Sequence, residues 1–517
     1  MKRHTIIFLL AVFSLQLTDL NPLQAQQAKP DARYKLIRQQ YKVNRDGTTA
    51  YNFRKEITLI RNRAITAYAD KGETFIVYNP AFQNLTINEC YTLRKDGSKV
   101  QTPKRAFVEQ LPSNCENCGR LNGLIELAIV HTALEYDCTI VLDYTITSKC
   151  NILQEKIQLT QDCPVEKYEV IVDLPRDGKL YSHLDANGAK VKKVNDGHTL
   201  HIEATNLDQS AADHYLPASE RVYPTLYFSN TESLSDRMRQ MKDKLPPAQL
   251  LILSTRDKIK KSGNHTAHER NLMLVEALRD YVADNIRTNH ISPALLGYAS
   301  AEPEEVWASA CGSPYEKAQT LAAVFRQAGF YSYVSLGESE MLTDDNKKFH
   351  IANSEQTTVT VVVDNEQFTL SATDKRPLNP AEKSHSTSRD IEWIPAEEGD
   401  GYAVYTLPAN DNPTGIDAAY LSSKRTAPVQ TAVCDDEYTY NIHLTEKATL
   451  LNPVETAYEI EGLGSIKVSI KQNGDNILVS KHLKIDKNII DKNDYSDFRK
   501  MMVDWYKHNT LYIKTKK

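Results

Sequence analysis

Hydrophobic and polar residues alternate along the first part of the chain. From about residue 30 to 225, short runs rich in β-branched and aromatic residues, such as TAYNFRKEITLI and EKYEVIVDLP, are separated by KDGS, RDGK and NDGH. Period-two alternation between Gly-containing turns is typical of antiparallel strands. The pattern therefore predicts an N-terminal antiparallel β-sandwich domain over residues 26–228.

The period changes to that of a helix after residue 228. Leu272, Val275, Leu278 and Val282 recur at spacings of three and four, which is the signature of an amphipathic helix. A second helical stretch, PYEKAQTLAAVFRQ, is followed by the β-rich runs YSYVSLG, TTVTVVVD and QFTLSATD. We therefore expect a central α+β domain over residues 229–378.

Local signals indicate where the second helix begins and ends. Ser313 or Pro314 stands at its start and Gly329 at its end. Proline fits the first helical turn, because its missing N–H would have no partner there, and glycine is common just beyond a helix. The sequence thus predicts a helix over residues 316–328.

The remaining chain divides into two parts. Residues 379–427 are rich in Pro, Ser, Asp and Asn, which indicates a linker or extended loop. Strand patterns return over residues 428–517, with QNGDN as a hairpin turn and DYSDFRKMMVDWYKH as one helix. We expect a small C-terminal β-rich domain, and hence a multidomain protein.

The net charge and the first residues of the chain limit the classes of partner and the cell compartment that we expect. The 517 residues carry a net charge of −5, so no basic field favours nucleic acid, which we exclude as a partner. Lys2 and Arg3 precede an apolar run that ends at Leu17, and a small residue, Ala25, follows. This order predicts a signal peptide over residues 1–25, cleaved near Ala25, and a periplasmic or secreted protein without a transmembrane segment.

The cysteines of an exported protein are candidates for disulfides. Six of the eight lie close together, and sequence cannot resolve their connectivity: Cys90, Cys115, Cys118, Cys138, Cys150 and Cys163. Cys115 and Cys118 could form a local disulfide, a redox pair or half of a metal site. Zinc would need two further ligands at similar spacing, and no second C-x-x-C occurs, so we expect no metal and no cofactor.

The order of the domains, together with GSPYEKAQTLAAVFRQAGF, resembles exported bacterial transglutaminase-like proteins. In that family, uncharacterised β-modules flank a papain-type core. The segment YNPAFQNLTINECYTLRKDGSKVQTP also looks like the family's leading module. The resemblance implies a transglutaminase-like core in residues 229–378, with a catalytic cysteine at a helix start and His and Asp on two adjacent strands.

The same resemblance implies that the three catalytic positions are vacant. The family's helix start reads Gly, Asp, Cys, any residue, Asp, Lys, Ala, and GSPYEKA places Pro314 at the cysteine position. Gln356 then falls where the histidine is expected, and Ser371 where the aspartate is expected. Proline has no nucleophile, so the resemblance implies a pseudoenzyme with a degenerate triad.

Two functions remain open. The first is a non-catalytic module that binds a protein, peptide or envelope polysaccharide, in a groove between the helix at 316–328 and the strand at 357–364. The alternative is a cysteine-dependent amidase, peptidase or acyl transferase that uses Cys311 as nucleophile and His350 as base. Cys311 would precede the first helical turn, so it would lose much of the helix dipole that lowers a thiol pKa. We therefore favour the binding module.

Overall fold

The computed structural model describes residues 30–70, 74–218, 221–234, 244–337, 342–344, 347–352, 356–375, 384–393, 401–408 and 413–515. The predicted signal peptide, residues 1–25, lies outside these ranges. Within them, no helix has both the length and the apolar character that a membrane span requires.

The described part of the N-terminal domain consists of strands, one α-helix, α1 (Asn62–Asp70), and three short 3-10 helices. Several of its strands, such as those over Val165–Asp173 and Thr199–Leu207, alternate buried and less buried positions, as the sequence pattern predicts. The strands are β1 (Ala32–Val43), β2 (Thr49–Leu59), β3 (Thr74–Tyr78), β4 (Gln83–Leu93), β5 (Lys99–Gln101), β6 (Phe107–Gln110), β7 (Ile125–Ile129), β8 (Thr139–Ser148), β9 (Gln154–Gln158), β10 (Val165–Asp173), β11 (Tyr181–Asp185), β12 (Val191–Asn195), β13 (Thr199–Leu207) and β14 (Thr225–Ser229).

These strands form two layers. An eight-stranded sheet, in the order β12-β13-β10-β1-β2-β8-β4-β5, packs against two three-stranded sheets, β11-β14-β9 and β3-β7-β6. Within the eight-stranded sheet β1 and β10 run parallel, and the other pairs are antiparallel. The predicted β-domain is confirmed in outline, with one parallel pair that the sequence did not indicate.

The central domain places helices before strands. Its helices are α2 (Gln249–Lys261), α3 (Ala267–Asn285), α4 (Pro303–Ser309) and α5 (Pro314–Gln327). Its strands are β15 (Arg287–Thr288), β16 (Cys311–Gly312), β17 (Tyr331–Ser335), β18 (Leu342–Asp344), β19 (Lys347–Phe349), β20 (Thr358–Val363) and β21 (Glu366–Leu370). Strands β17, β20 and β21 form an antiparallel sheet in that spatial order.

Helix α5 is the centre of this domain and packs directly on the sheet. Leu321, Ala322 and Phe325 are fully buried in one apolar cluster with Val359 and Val361 of β20. These contacts fill the space between the helix and the strand. The groove expected between residues 316–328 and 357–364 is therefore wrong, because that surface forms the hydrophobic core.

The C-terminal domain begins earlier than predicted. Its elements are β22 (Ser384–Trp393), β23 (Tyr402–Thr406), β24 (Val429–Gln430), β25 (Cys434–Leu444), β26 (Ala448–Leu450), β27 (Val454–Ile460), β28 (Gly464–Asn473), β29 (Asn476–Ile485), β30 (Ile489–Ile490), β31 (Thr510–Thr515) and helix α6 (Tyr495–Lys507).

Residues 379–427 contribute two of these strands, which corrects the predicted linker. Strand β22 pairs in parallel with β25 at the edge of a five-stranded sheet, and β23 pairs with β31 at the edge of a three-stranded sheet. An edge strand needs no continuous apolar run, because much of its surface faces solvent. The polar composition of this segment is therefore compatible with strands.

Candidate functional site

The start of helix α5 is formed by a reciprocal pair of hydrogen bonds. The Ser313 hydroxyl accepts a bond from the backbone N–H of Glu316 (3.2 Å), and the Glu316 carboxylate accepts one from the backbone N–H of Ser313 (2.8 Å). Pro314 is the first helical residue, as expected from its missing N–H. The position from which a helix dipole would activate a thiol is thus occupied by proline.

Pro314, Gln356 and Ser371, the three positions at which the family resemblance places the triad, lie at the same end of the sheet. Ser335 at the end of β17 pairs with Thr358 at the start of β20, next to which β21 ends at Leu370. Gln356 and Ser371 flank these strand ends. Strand β17 runs back along α5, and Tyr315 of the first turn of α5 packs against Leu336, just beyond β17.

No general acid or base of the expected kind occupies these positions. Ser371 forms a local turn instead, in which its hydroxyl oxygen lies 2.8 Å from that of Thr373 and accepts a bond from the Thr373 N–H. Gln356 carries a neutral amide, which does not take up a proton as an imidazole does.

Cys311 is bonded to Cys118, a residue 193 positions earlier in the chain. A disulfide sulfur is not a thiolate, so the predicted use of Cys311 as a free nucleophile is wrong for this state of the protein. The local Cys115–Cys118 disulfide is also wrong, since Cys115 is a free, buried cysteine whose pKa is raised by burial. The other free cysteines are Cys90, Cys138, Cys150, Cys163 and Cys434.

His350 lies just beyond β19, and its backbone is bonded to residues other than Cys311. The side chain that approaches the Cys311 sulfur is Asn289, whose amide Nδ2 lies 3.5 Å away. The backbone of His350 is bonded elsewhere: its N–H donates to the Glu232 carbonyl (2.9 Å), and its carbonyl accepts from Gln154 Nε2 (3.0 Å). Because Cys311 is bonded to Cys118, the predicted pair of Cys311 and His350 has no free thiol in this state of the protein.

The charged side chains at the start of α5 are buried and paired. Glu316, 1% exposed, accepts hydrogen bonds from Arg120 Nη2 (2.7 Å) and the Ala301 N–H (2.8 Å). Lys317, also 1% exposed, donates to Thr288 Oγ1 (3.0 Å) and to the Ala283 carbonyl (3.3 Å). Burial lowers the pKa of Lys317 to about 8. These groups hold the helix in place, and buried ions need such partners.

The same region connects two domains. The loop that carries Cys118 belongs to the N-terminal domain, and it contacts the core through the disulfide and the Arg120–Glu316 ion pair. Arg287 of β15 also donates to the Glu116 carbonyl of that loop. The sequence does not indicate these contacts, because they join residues far apart in the chain.

A second feature that the sequence did not indicate is a cavity of about 480 Å³ beside this region. It lies between the N-terminal sheets and residues 292–298 of the core. Throughout the described residues, no group of three or more His, Cys, Asp or Glu side chains is placed so that it could hold a metal ion.

Comparison with known families identifies two regions. Residues 45–210 match DUF3857, and residues 402–513 match DUF3858, each a domain of unknown function for which a structure has been solved. The second match includes β23, in agreement with the corrected domain start. No curated protein matches the sequence.

Among the solved structures that are similar, one matches over nearly the whole chain. A protein from Parabacteroides distasonis described as a "putative protease" is 26% identical, with a TM-score of 0.76, over 94% of this chain and 99% of that one. Yeast LTA4 hydrolase is 11% identical over 44% of this chain and 35% of its own, with a TM-score of 0.20. The periplasmic domain of TgpA from Pseudomonas aeruginosa is 13% identical over 44% and 77%, with a TM-score of 0.18.

The last two scores are too low to support a functional argument. The chain thus contains a DUF3857 and a DUF3858 domain on either side of an α+β core, and it shares its fold with the Parabacteroides protein.

Proposed function

We propose that this chain is an exported transglutaminase-like protein whose core binds a partner in the cell envelope without acting as an enzyme. The observation that carries the proposal is the start of α5, where Pro314 occupies the nucleophile position and the nearby sulfur of Cys311 is bonded to Cys118. Thiol catalysis needs a thiolate beside a base, and this site offers neither.

The retained scaffold supports the family assignment. A buried helix with a capped N-terminus packs on an antiparallel sheet, and the positions of Pro314, Gln356 and Ser371 meet at one end. A protein, a peptide or an envelope polysaccharide is the class of partner that such a module would bind. Export follows from the pattern of residues 1–25 and is tested by locating the mature protein in cell fractions.

A cysteine-dependent hydrolase is the competing function, since the similar Parabacteroides protein is described as a "putative protease". In this chain that activity would require the Cys118–Cys311 disulfide to open and Cys311 to become activated. Two single variants separate the functions: Cys118→Ser opens the disulfide and leaves the Cys311 thiol, whereas Cys311→Ser opens it and removes that thiol.

The experiment compares wild type and both variants for cleavage and amine transfer on a mixed peptide library, read by mass spectrometry. We expect no turnover by any of the three, with or without reductant, and unchanged binding of labelled peptides or envelope polysaccharide by Cys311→Ser if it remains folded. Turnover by Cys118→Ser, or by reduced wild type, that Cys311→Ser lacks would overturn the proposal.

A further inference from the structure

The 480 Å³ cavity has the size of a small-molecule site. One wall is the eight-stranded sheet, through Gln39, Tyr41, Tyr51 and Tyr168. Strand β9 forms the second wall, and residues 292–298 of the core close the third side. The cavity therefore exists only where the N-terminal domain meets the core.

Glu155 of β9 brings a carboxyl group into this cavity. Successive side chains of a strand point to opposite faces, so Glu155 shares the inward face with Ile157, which is buried in the domain core. Lys156 also borders the cavity, but it is exposed on the other face of the strand, where its Nζ lies 6.0 Å from the ring centre of Tyr227. An acid thus occupies a position that usually carries an apolar residue.

No hydrogen-bond donor or cation from the described chain pairs with the Glu155 carboxyl. Burial raises its pKa to about 7, so close to half of the molecules carry the charge at neutral pH. The side chain is half-buried, and a carboxylate partly withdrawn from water without a partner costs free energy.

Three of the four cavity tyrosines donate their hydroxyl hydrogen to an acceptor other than this carboxyl, and the fourth, Tyr168, accepts a bond from Gln39. Tyr41 and Tyr51 both donate to Gln39 Oε1, at 2.6 and 3.1 Å, and Gln39 Nε2 donates to the Tyr168 hydroxyl at 2.6 Å. Tyr298 donates to the Gln154 carbonyl at 3.3 Å. The network fixes the rings in place and leaves their faces as apolar walls.

An unpaired carboxylate among fixed aromatic rings matches one class of ligand. A protonated amine gains from both features, because the carboxylate neutralises its charge and aromatic faces attract cations. We propose that this cavity binds a small organic ammonium ion with Glu155 as its counter-ion. The site shares no residue with Pro314, Gln356 or Ser371, so it stands apart from the proposed function.

Titration with n-butylammonium at pH 8, followed by saturation-transfer NMR and calorimetry, tests the proposal. Glu155→Gln keeps the size of the side chain and removes the charge. Glu166→Gln makes the same change on the surface, where Glu166 pairs with the exposed Arg33, and serves as the matched control. We expect Glu155→Gln to weaken binding at least about tenfold, while Glu166→Gln stays within about twofold.

Two further ligands test whether binding depends on the charge of the amine and what kind of molecule carries it. n-Butanol has the same chain without the charge, and it should bind no better to wild type than to Glu155→Gln. Nα-acetyl-lysine methylamide carries the ammonium on a peptide unit. If Nα-acetyl-lysine methylamide binds more tightly than n-butylammonium and the binding depends on Glu155, the proposal is supported and the natural ligand is a lysine side chain of a peptide or protein. If it binds more weakly than n-butylammonium, the natural ligand is a free amine.

Wild type alone gives an independent test. Protonation of Glu155 should weaken n-butylammonium binding at least about tenfold between pH 8 and pH 5.5. No other carboxyl and no imidazole lines the cavity; its other titratable groups are Tyr41, Tyr51, Tyr168, Tyr298, Cys150, Lys42 and Lys156. Absence of binding by folded wild type at millimolar amine, or equal binding of n-butylammonium and n-butanol, would overturn the proposal.

Discussion

At the scale of single residues, burial of Glu155 links the stability of the protein to pH. Its pKa rises from an ordinary 4.5 to about 7, so between these values the folded protein holds a proton that the unfolded chain has released. The free energy of unfolding therefore falls as pH rises through this window. Because Glu155 is half-buried, solvent screening reduces the full effect, which we expect to be about 1–3 kcal/mol.

The variant Glu155→Gln removes this linkage. In amine-free buffer, its free energy of unfolding relative to wild type should rise by about 1–3 kcal/mol between pH 4.5 and pH 8. Urea unfolding at pH 4.5, 6 and 8 measures this change, with Glu166→Gln as the surface control. A difference that stays constant with pH would contradict the assigned environment of the carboxyl.

Lys317 makes the free energy of unfolding depend on pH in the opposite direction. Burial lowers its pKa from 10.5 to about 8, so between these values the unfolded chain holds a proton that the folded protein has lost. Stability from this group therefore rises with pH over that window. Relative to Lys317→Met, wild type should gain about 1–3 kcal/mol between pH 8 and pH 10.5, measured by urea unfolding. Parallel pH profiles would contradict this prediction.

At the scale of elements, the N-terminal cap of α5 stabilises the helix start at the candidate site. Ser313→Ala removes the hydroxyl that accepts from the Glu316 N–H, and such a loss costs about 1 kcal/mol. We expect that decrease in the free energy of unfolding. Ser254→Ala, at an exposed position of α2, should change it by less than about 0.5 kcal/mol. Equal changes in the free energy of unfolding for Ser313→Ala and Ser254→Ala would contradict a stabilising contribution of the cap.

The helix α5 could be predicted from the sequence, whereas strands β22 and β23 could not. The limits of α5 follow from local signals, Ser313 and Pro314 at its start and Gly329, with a φ of 91°, just after its end. Strands within residues 379–427 were missed because β22 and β23 lie at sheet edges, where polar residues are tolerated. Glu155 was missed since nothing in QEKIQ tells which strand face lines a cavity.

At the scale of the whole molecule, the candidate site is joined to the N-terminal domain. The disulfide between Cys118 and Cys311 and the buried ion pair between Arg120 and Glu316 connect the two. No local pattern encodes a contact across 193 residues, so the sequence could not indicate the state of Cys311. The vacant triad remains a prediction from the family resemblance. The fold thus uses that sulfur to join domains.

The chemical state of Cys311 in the native, unreduced protein tests the central claim most directly. The measurement is its alkylation rate by iodoacetamide from pH 5 to 9, read by peptide mapping under non-reducing conditions. We predict no labelling of Cys311 and a cross-linked peptide that contains Cys118 and Cys311. Fast labelling of Cys311 that persists down to pH 5 would reveal an activated thiolate and contradict the non-catalytic account.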